Sequence, residues 1–143
     1  MSGTPPHPPS PASRSSTILV VEDDAALRRV LERALVRQGY RVLAAASAET
    51  AYELLASEPA DAVLLDVQLP TMSGLALYLA LIHRHPTLAG RIAIMSGDAE
   101  ADNVRAWLQN NPCTVLKKPF DLRQIVEWAK ELLDASDRRT GNG

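Results

Sequence analysis

Cysteine is almost missing from this chain of 143 residues: Cys113 is the only one. No internal disulfide can form, so the fold must be held by packing, as suits a reducing compartment. Long apolar runs are missing too. None reaches the roughly 18–20 residues that cross a bilayer, and the N-terminus lacks the basic-then-apolar order of a secretory signal. Nor is there an excess of basic charge. The formal net charge of −2 argues against a nucleic-acid-binding surface, though not against a local basic patch. These absences predict a soluble cytoplasmic protein with no membrane partner and no direct nucleic-acid partner. What is present is enough for a core. Hydrophobic residues make up 46 % and charged residues 22 %, the balance of one globular domain and not of a disordered chain.

The ends differ from the middle. Residues 1–16, MSGTPPHPPSPASRSS, hold half of the ten prolines with serines between them. That composition favours an extended, mobile tail; the alternative is a proline-rich ligand for a partner. Residues 136–143 form a second polar tail, and the domain is expected over 17–135. Inside it, short apolar runs alternate with helical patterns. Ile18–Val21, Val42–Ala46, Ala62–Leu65, Ile92–Met95 and Thr114–Leu116 have the length and β-branched content of buried strands. The first helix carries Leu27, Val30, Leu31, Ala34 and Leu35, with Gly39 as its stop. The second starts after Ser47 and ends before Pro59. The third runs from Gly74 to His85, and the fourth follows Asp98 and stops at Asn110-Asn111-Pro112. The last has Asp121 and Gln124 placed as a capping box, and Phe120 and Ile125 as a hydrophobic staple. Its apolar stripe is read as Leu122, Ile125, Val126, Ala129, Leu132 and Leu133. Strand–helix alternation predicts a parallel sheet covered on both faces.

Right-handed crossovers put every strand's carboxyl end on one edge, where such sheets bind ligands. The residues just after each strand therefore matter most. They are Glu22, Asp23 and Asp24 after the first strand and Asp66 after the third. Ser96 and Gly97 follow the fourth, and Lys117, Lys118 and Pro119 the fifth. Carboxylates from the first and third strands face each other if those strands are neighbours. Oxygen ligands of this kind suit Mg²⁺ (or Mn²⁺). With an ammonium and a hydroxyl beside it, such a group forms a site for a phosphoryl group carried on a carboxylate.

The stretches ILVVEDD, DAVLLDVQLPTMSGL, IAIMSGD and VLKKPF resemble the receiver domain of bacterial response regulators, over about Thr17 to Leu133. The resemblance implies a flavodoxin-like (βα)5 fold, doubly wound, with strand order 2-1-3-4-5. It implies Asp66 as phosphoacceptor, and Asp23, Asp66 and the backbone carbonyl of Gln68 as Mg²⁺ ligands, with Glu22 acting through metal-bound water. Ser96 matches the family's switch hydroxyl and Lys118 its phosphate-contacting lysine. Asp24 falls outside the metal set and is assigned to the helix start. A cis peptide is implied at Lys118–Pro119, where an X–Pro bond lowers its cost. Gln68 and Asp98 occupy positions that tune dephosphorylation. Many members carry an aromatic residue where this chain has Val115, so a ring-swinging switch is not expected. The donor would be a phosphohistidine on a histidine kinase or phosphotransfer protein, with transfer largely catalysed by the receiver itself.

The expected function is a stand-alone receiver that signals through contacts with a downstream protein, because no output domain follows Leu133. A phosphorelay intermediate or phosphate sink is the alternative. An aspartyl-nucleophile phosphatase would pair its nucleophile with an aspartate two residues on, where this chain has Gln68. An interaction domain that never accepts phosphate is the third reading. On the third helix, Leu79 points outward if Leu77, Tyr78 and Leu81 point inward with Leu75. It is either a contact for a partner or a second copy (a possible homodimer), or an isolated surface leucine. Trp128 is either a partner anchor or a ring along the core edge.

Overall fold

The computed structural model describes residues 15–134. Both predicted tails lie outside the described residues, except for Ser15 and Ser16. The strands are β1 (Thr17–Val21), β2 (Arg41–Ala45), β3 (Ala62–Asp66), β4 (Ile92–Ser96) and β5 (Thr114–Lys117). They form one parallel sheet in the order β2-β1-β3-β4-β5, the flavodoxin-like winding. The helices are α1 (Ala25–Arg37), α2 (Ala48–Ser57), α3 (Gly74–Arg84), α4 (Ala101–Leu108) and α5 (Leu122–Ala129).

Alternate residues of each strand face opposite sides of a sheet, and the two cores follow that period. Ile18, Val20, Leu64 and Met95 pack with Leu31 and Leu35 of α1 and with Ile125 and Ala129 of α5. Leu19, Val21, Val63, Leu65 and Ile94 pack on the other side with α2, α3 and α4 through Ala51, Leu55, Leu77, Leu81 and Val104. A fully buried leucine or isoleucine contributes about 1.5–3 kcal/mol from burial. Such side chains on both faces explain why the central strands are near-continuous apolar runs.

The helix ends follow local chemistry. Asp24 accepts from the Leu27 N–H at 3.1 Å to start α1, and Gly39, at φ +96°, takes the left-handed turn just after its last cap. Ser47 accepts from the Thr50 N–H at 3.2 Å to start α2. Asp121 and Gln124 form the expected capping box of α5.

Three details differ from the sequence expectations. Asp98 does not open α4; it opens a 3₁₀ turn, Asp98–Glu100, and α4 begins at Ala101. The α5 stripe takes in Trp128, for which the second of the two readings holds: its ring is 9 % exposed and lies in the core with Ile125 and Ala129. Positions 125, 128 and 129 share one face of a helix, so the inward stripe includes the ring, while Leu122 in the first turn is left 37 % exposed. Val30, read as part of the α1 stripe, is also exposed. On α3 the expected orientation is found: Leu77, Tyr78 and Leu81 are buried, Leu75 is half-buried, and Leu79 is 47 % exposed. No helix among the described residues is long and apolar enough to cross a membrane.

Candidate functional site

β1 lies between β2 and β3, so the chain's winding reverses beside it and opens a crevice at the ends of β1 and β3. Val21 pairs with Leu65 there, and the next residues in each chain, Glu22 and Asp66, meet across the gap. Glu22 is 1 % and Asp66 3 % exposed, whereas Asp23 is exposed. One carboxylate oxygen from each of Glu22, Asp23 and Asp66 lies within 4.8 Å of the others. The loop is anchored from both sides. The Glu22 N–H donates to the Ala45 carbonyl at 2.9 Å, and Arg28 of α1 reaches back to donate to the Glu22 carbonyl at 2.9 Å.

Lys118 comes over the end of β4 from the far edge of the sheet. Its backbone N–H donates to the Ser96 carbonyl at 2.8 Å, its Nζ donates to Glu22 Oε1 at 3.3 Å, and Nζ also pairs with Asp66 Oδ2. The Lys118–Pro119 peptide is cis. The other oxygen of Asp66 accepts from the Gln68 N–H at 2.8 Å. Gly74 is required here by space: its N–H reaches the Val67 carbonyl at 2.6 Å, and a Cβ at this position would stand 2.0 Å from the Asp66 carbonyl oxygen.

The electrostatics follow from the crowding. Burial pushes Glu22 up to about 7, and its hydrogen bond and like charge with Asp66 add to this against the opposing pull of the Asp24 N–H and Lys118. At Lys118 burial disfavours the ammonium, but Asp66 and then Glu22 more than offset it, so its net shift is upward. Three carboxylates facing one ammonium leave negative charge in excess. Oxygen ligands with a charge deficit fit a hard divalent cation, and the acidic cluster is suited to hold a metal ion.

Glu22, Asp23, Asp66, Gln68, Glu100 and Lys118 line one open cleft of about 750 Å³. Ser96 is not turned into it. The hydroxyl, 2 % exposed, donates to the Gly97 carbonyl at 3.2 Å. It lines a separate cavity of about 270 Å³ beneath α4 with Val104, Leu108 and Val115. Asp98 is exposed in the turn before α4 and does not line the cleft. Sequence reasoning missed Glu100 and Arg28. Glu100 ends the 3₁₀ turn after β4, four positions beyond Ser96 and past the residues that the strand-end rule singles out. Arg28 sits on a helix face that looks like ordinary solvated charge.

The family model described as the response regulator receiver domain matches residues 18–130. The DNA-binding transcriptional regulator NtrC of Escherichia coli is 36 % identical over 109 residues, covering 76 % of this chain and 23 % of that protein. Sensor kinase CckA of Brucella abortus is 36 % identical over 127 residues, covering 87 % of this chain and 13 % of the kinase. The chain thus spans about a quarter or less of the length of these two relatives. Among solved structures, a CheY-like receiver domain protein from Methanospirillum hungatei superposes with a TM-score of 0.76 at 27 % identity, over 87 % of this chain and 98 % of that one. Sequence match and strand order agree, and the chain belongs to the response regulator receiver domain family of two-component signalling.

Proposed function

We propose that Asp66 accepts a phosphoryl group from a phosphohistidine on a histidine kinase or phosphotransfer protein. The chain then signals through protein–protein contacts, in stand-alone form or as a phosphorelay intermediate. The observation that carries this reading is the meeting of the buried Asp66 carboxylate with Glu22 and Asp23 within 4.8 Å, under the Lys118 ammonium.

In the transfer, an Asp66 oxygen attacks phosphorus and a P–O bond forms. The P–N bond of the donor breaks, and the departing imidazole nitrogen keeps the electron pair and takes up a proton. Lys118 Nζ, already beside Asp66 Oδ2, moves with the transferred group and donates to one of its oxygens. The Gln68 N–H holds the other carboxylate oxygen, which fixes the attacking geometry. Ser96 turns from Gly97 to the phosphoryl group once it is in place. Asp23, Asp66 and the Gln68 carbonyl would hold Mg²⁺ or Mn²⁺, with Glu22 acting through water. Bound there, the ion supplies neutralisation of charge on the phosphoryl oxygens. The chain performs its own phosphoryl acceptance and turns over no separate substrate.

Incubation with a small-molecule phosphodonor and Mg²⁺, followed by intact mass, tests this. One phosphate is expected on the wild type and none on Asp66→Asn. No phosphate on the wild type, or equal labelling of both, overturns the reading.

A further inference from the structure

Gly97, immediately after Ser96, gathers two side chains on one residue. Its N–H donates to Glu100 Oε1 at 2.9 Å. Its carbonyl accepts from Ser96 Oγ at 3.2 Å and from the Glu100 N–H at 3.3 Å. Glu100 therefore grips this residue from both ends while Gly97 holds the Ser96 hydroxyl along its own chain. Glu100 is also the N-cap residue of α4, yet its side chain makes no cap bond to that helix. A helix start leaves several N–H groups without partners, and a carboxylate there is favoured by the helix dipole. Here that carboxylate is used on Gly97 instead. It lies, moreover, on the wall of the cleft that contains Asp66 and Lys118.

We propose that Glu100 is a latch that holds Gly97, and through it Ser96, in the unphosphorylated arrangement and so opposes the phosphorylated one. The proposal rests on Asp66 being the phosphoacceptor. Two effects act in the same direction. A phosphoryl group on Asp66 adds negative charge to a cleft whose wall already carries the Glu100 carboxylate, and like charges repel. Ser96 must also give up the Gly97 carbonyl to turn toward Asp66, and Gly97 is held in place at both its N–H and its carbonyl. Once displaced, Glu100 is already at the N-terminus of α4, where its charge is favoured. Phosphate at Asp66 is thereby coupled to the first turn of α4. Glu100 touches no reacting atom and acts through Gly97 as a positioning residue.

The test uses beryllofluoride, a phosphoryl mimic, added to the full chain in saturating Mg²⁺. Affinity is read from the change in intrinsic tryptophan fluorescence, to which Trp128 in α5 contributes alongside Trp107 in α4, whose ring packs edge-on against Tyr78 at 4.9 Å. A hydrogen bond to a charged group changes an equilibrium by about tenfold or more after exchange with water, so Glu100→Ala is expected to bind beryllofluoride tighter by about tenfold. Glu100→Gln keeps an uncharged acceptor, roughly half as strong, and is expected to fall between wild type and Glu100→Ala. It also serves as the deciding variant if Glu100→Ala does not fold. The Gly97 amide resonance, which a general loss of stability would not move, is expected to shift when beryllofluoride is added to the wild type. In Glu100→Ala it is expected to be displaced before any is added. Unchanged or weaker affinity in the variants overturns the latch while leaving Asp66 as acceptor. Failure of the Mg²⁺-loaded wild type itself to bind beryllofluoride overturns both.

Discussion

Lys118 faces two buried carboxylates with one positive charge, and its side chain is 30 % exposed while those of Glu22 and Asp66 are 1 % and 5 % exposed. Removing one partner of a buried pair costs more than the pair contributes, because the remaining charge loses both its partner and its water. Lys118→Met keeps the length and apolar stem of the side chain and deletes only the ammonium. In EDTA at pH 7 it is expected to lose about 1–2 kcal/mol of stability in urea denaturation, less than the full buried-pair penalty because solvent reaches the site. Added Mg²⁺ is expected to recover part of that loss, but not phosphoryl uptake. A variant as stable as wild type in EDTA would show that the carboxylates need no counter-charge. At this scale the sequence was legible where position alone decides placement. Glu22 and Lys118 directly follow β1 and β5, Asp23 comes one residue later and Asp66 ends β3, so knowing the strands placed all four on one edge. Glu100 was not legible, because nothing in the spacing tells a carboxylate at a helix start to fold back onto Gly97. The direction of the Ser96 hydroxyl was likewise decided by a local hydrogen bond that spacing does not encode.

The start of α3 shows how an element holds a site. Its first residue, Gly74, lies so close to the end of β3 that an added Cβ would meet the Asp66 carbonyl oxygen at 2.0 Å and Val67 Cα at 2.7 Å. Both are backbone atoms and cannot rotate aside. Gly74→Ala is therefore expected to push α3 away from β3, with an overpacking cost of about 1–3 kcal/mol or more. It should also weaken Mg²⁺ binding, since Asp66 and Gln68 flank the displaced segment. Calorimetry of Mg²⁺ binding beside urea denaturation checks both effects, and a variant with wild-type stability and affinity would refute the tight contact. Elements were read well from sequence where caps and periods agree, as at Ser47 for α2 and Gly39 after α1. They were read less well where a turn intervenes. Asp98 has the chemistry of an N-cap, but the chain winds first through a 3₁₀ turn, moving the helix start to Ala101. In α5 hydropathy and burial diverge. Trp128 has a polar N–H yet packs inside, and Leu122 is apolar yet sits in the exposed first turn.

For the whole molecule, the buried acid ties global stability to pH and metal together. The metal-free folded chain holds the Glu22 proton up to about pH 7, against an ordinary value of 4.5. Between those values the folded state binds more protons than the unfolded state, so stability falls as pH rises. The contribution is fully present below pH 4.5 and is lost as pH passes through about 7. At about 1.4 kcal/mol per pKa unit, the loss amounts to at most about 3.5 kcal/mol. A divalent cation held by this acidic cluster would reverse the dependence. It competes with the proton for the same carboxylates, so its stabilisation grows with pH over the interval where the metal-free chain weakens. Urea denaturation in EDTA is expected to show lower stability at pH 8 than at pH 5.5, and saturating Mg²⁺ to abolish or invert the difference. Glu22→Gln cannot ionise and isolates this group from every other titration, so the EDTA loss should be smaller in it than in wild type. Equal pH dependence of wild type and Glu22→Gln in EDTA would mean that the Glu22 proton is not what the strand-end crevice stores.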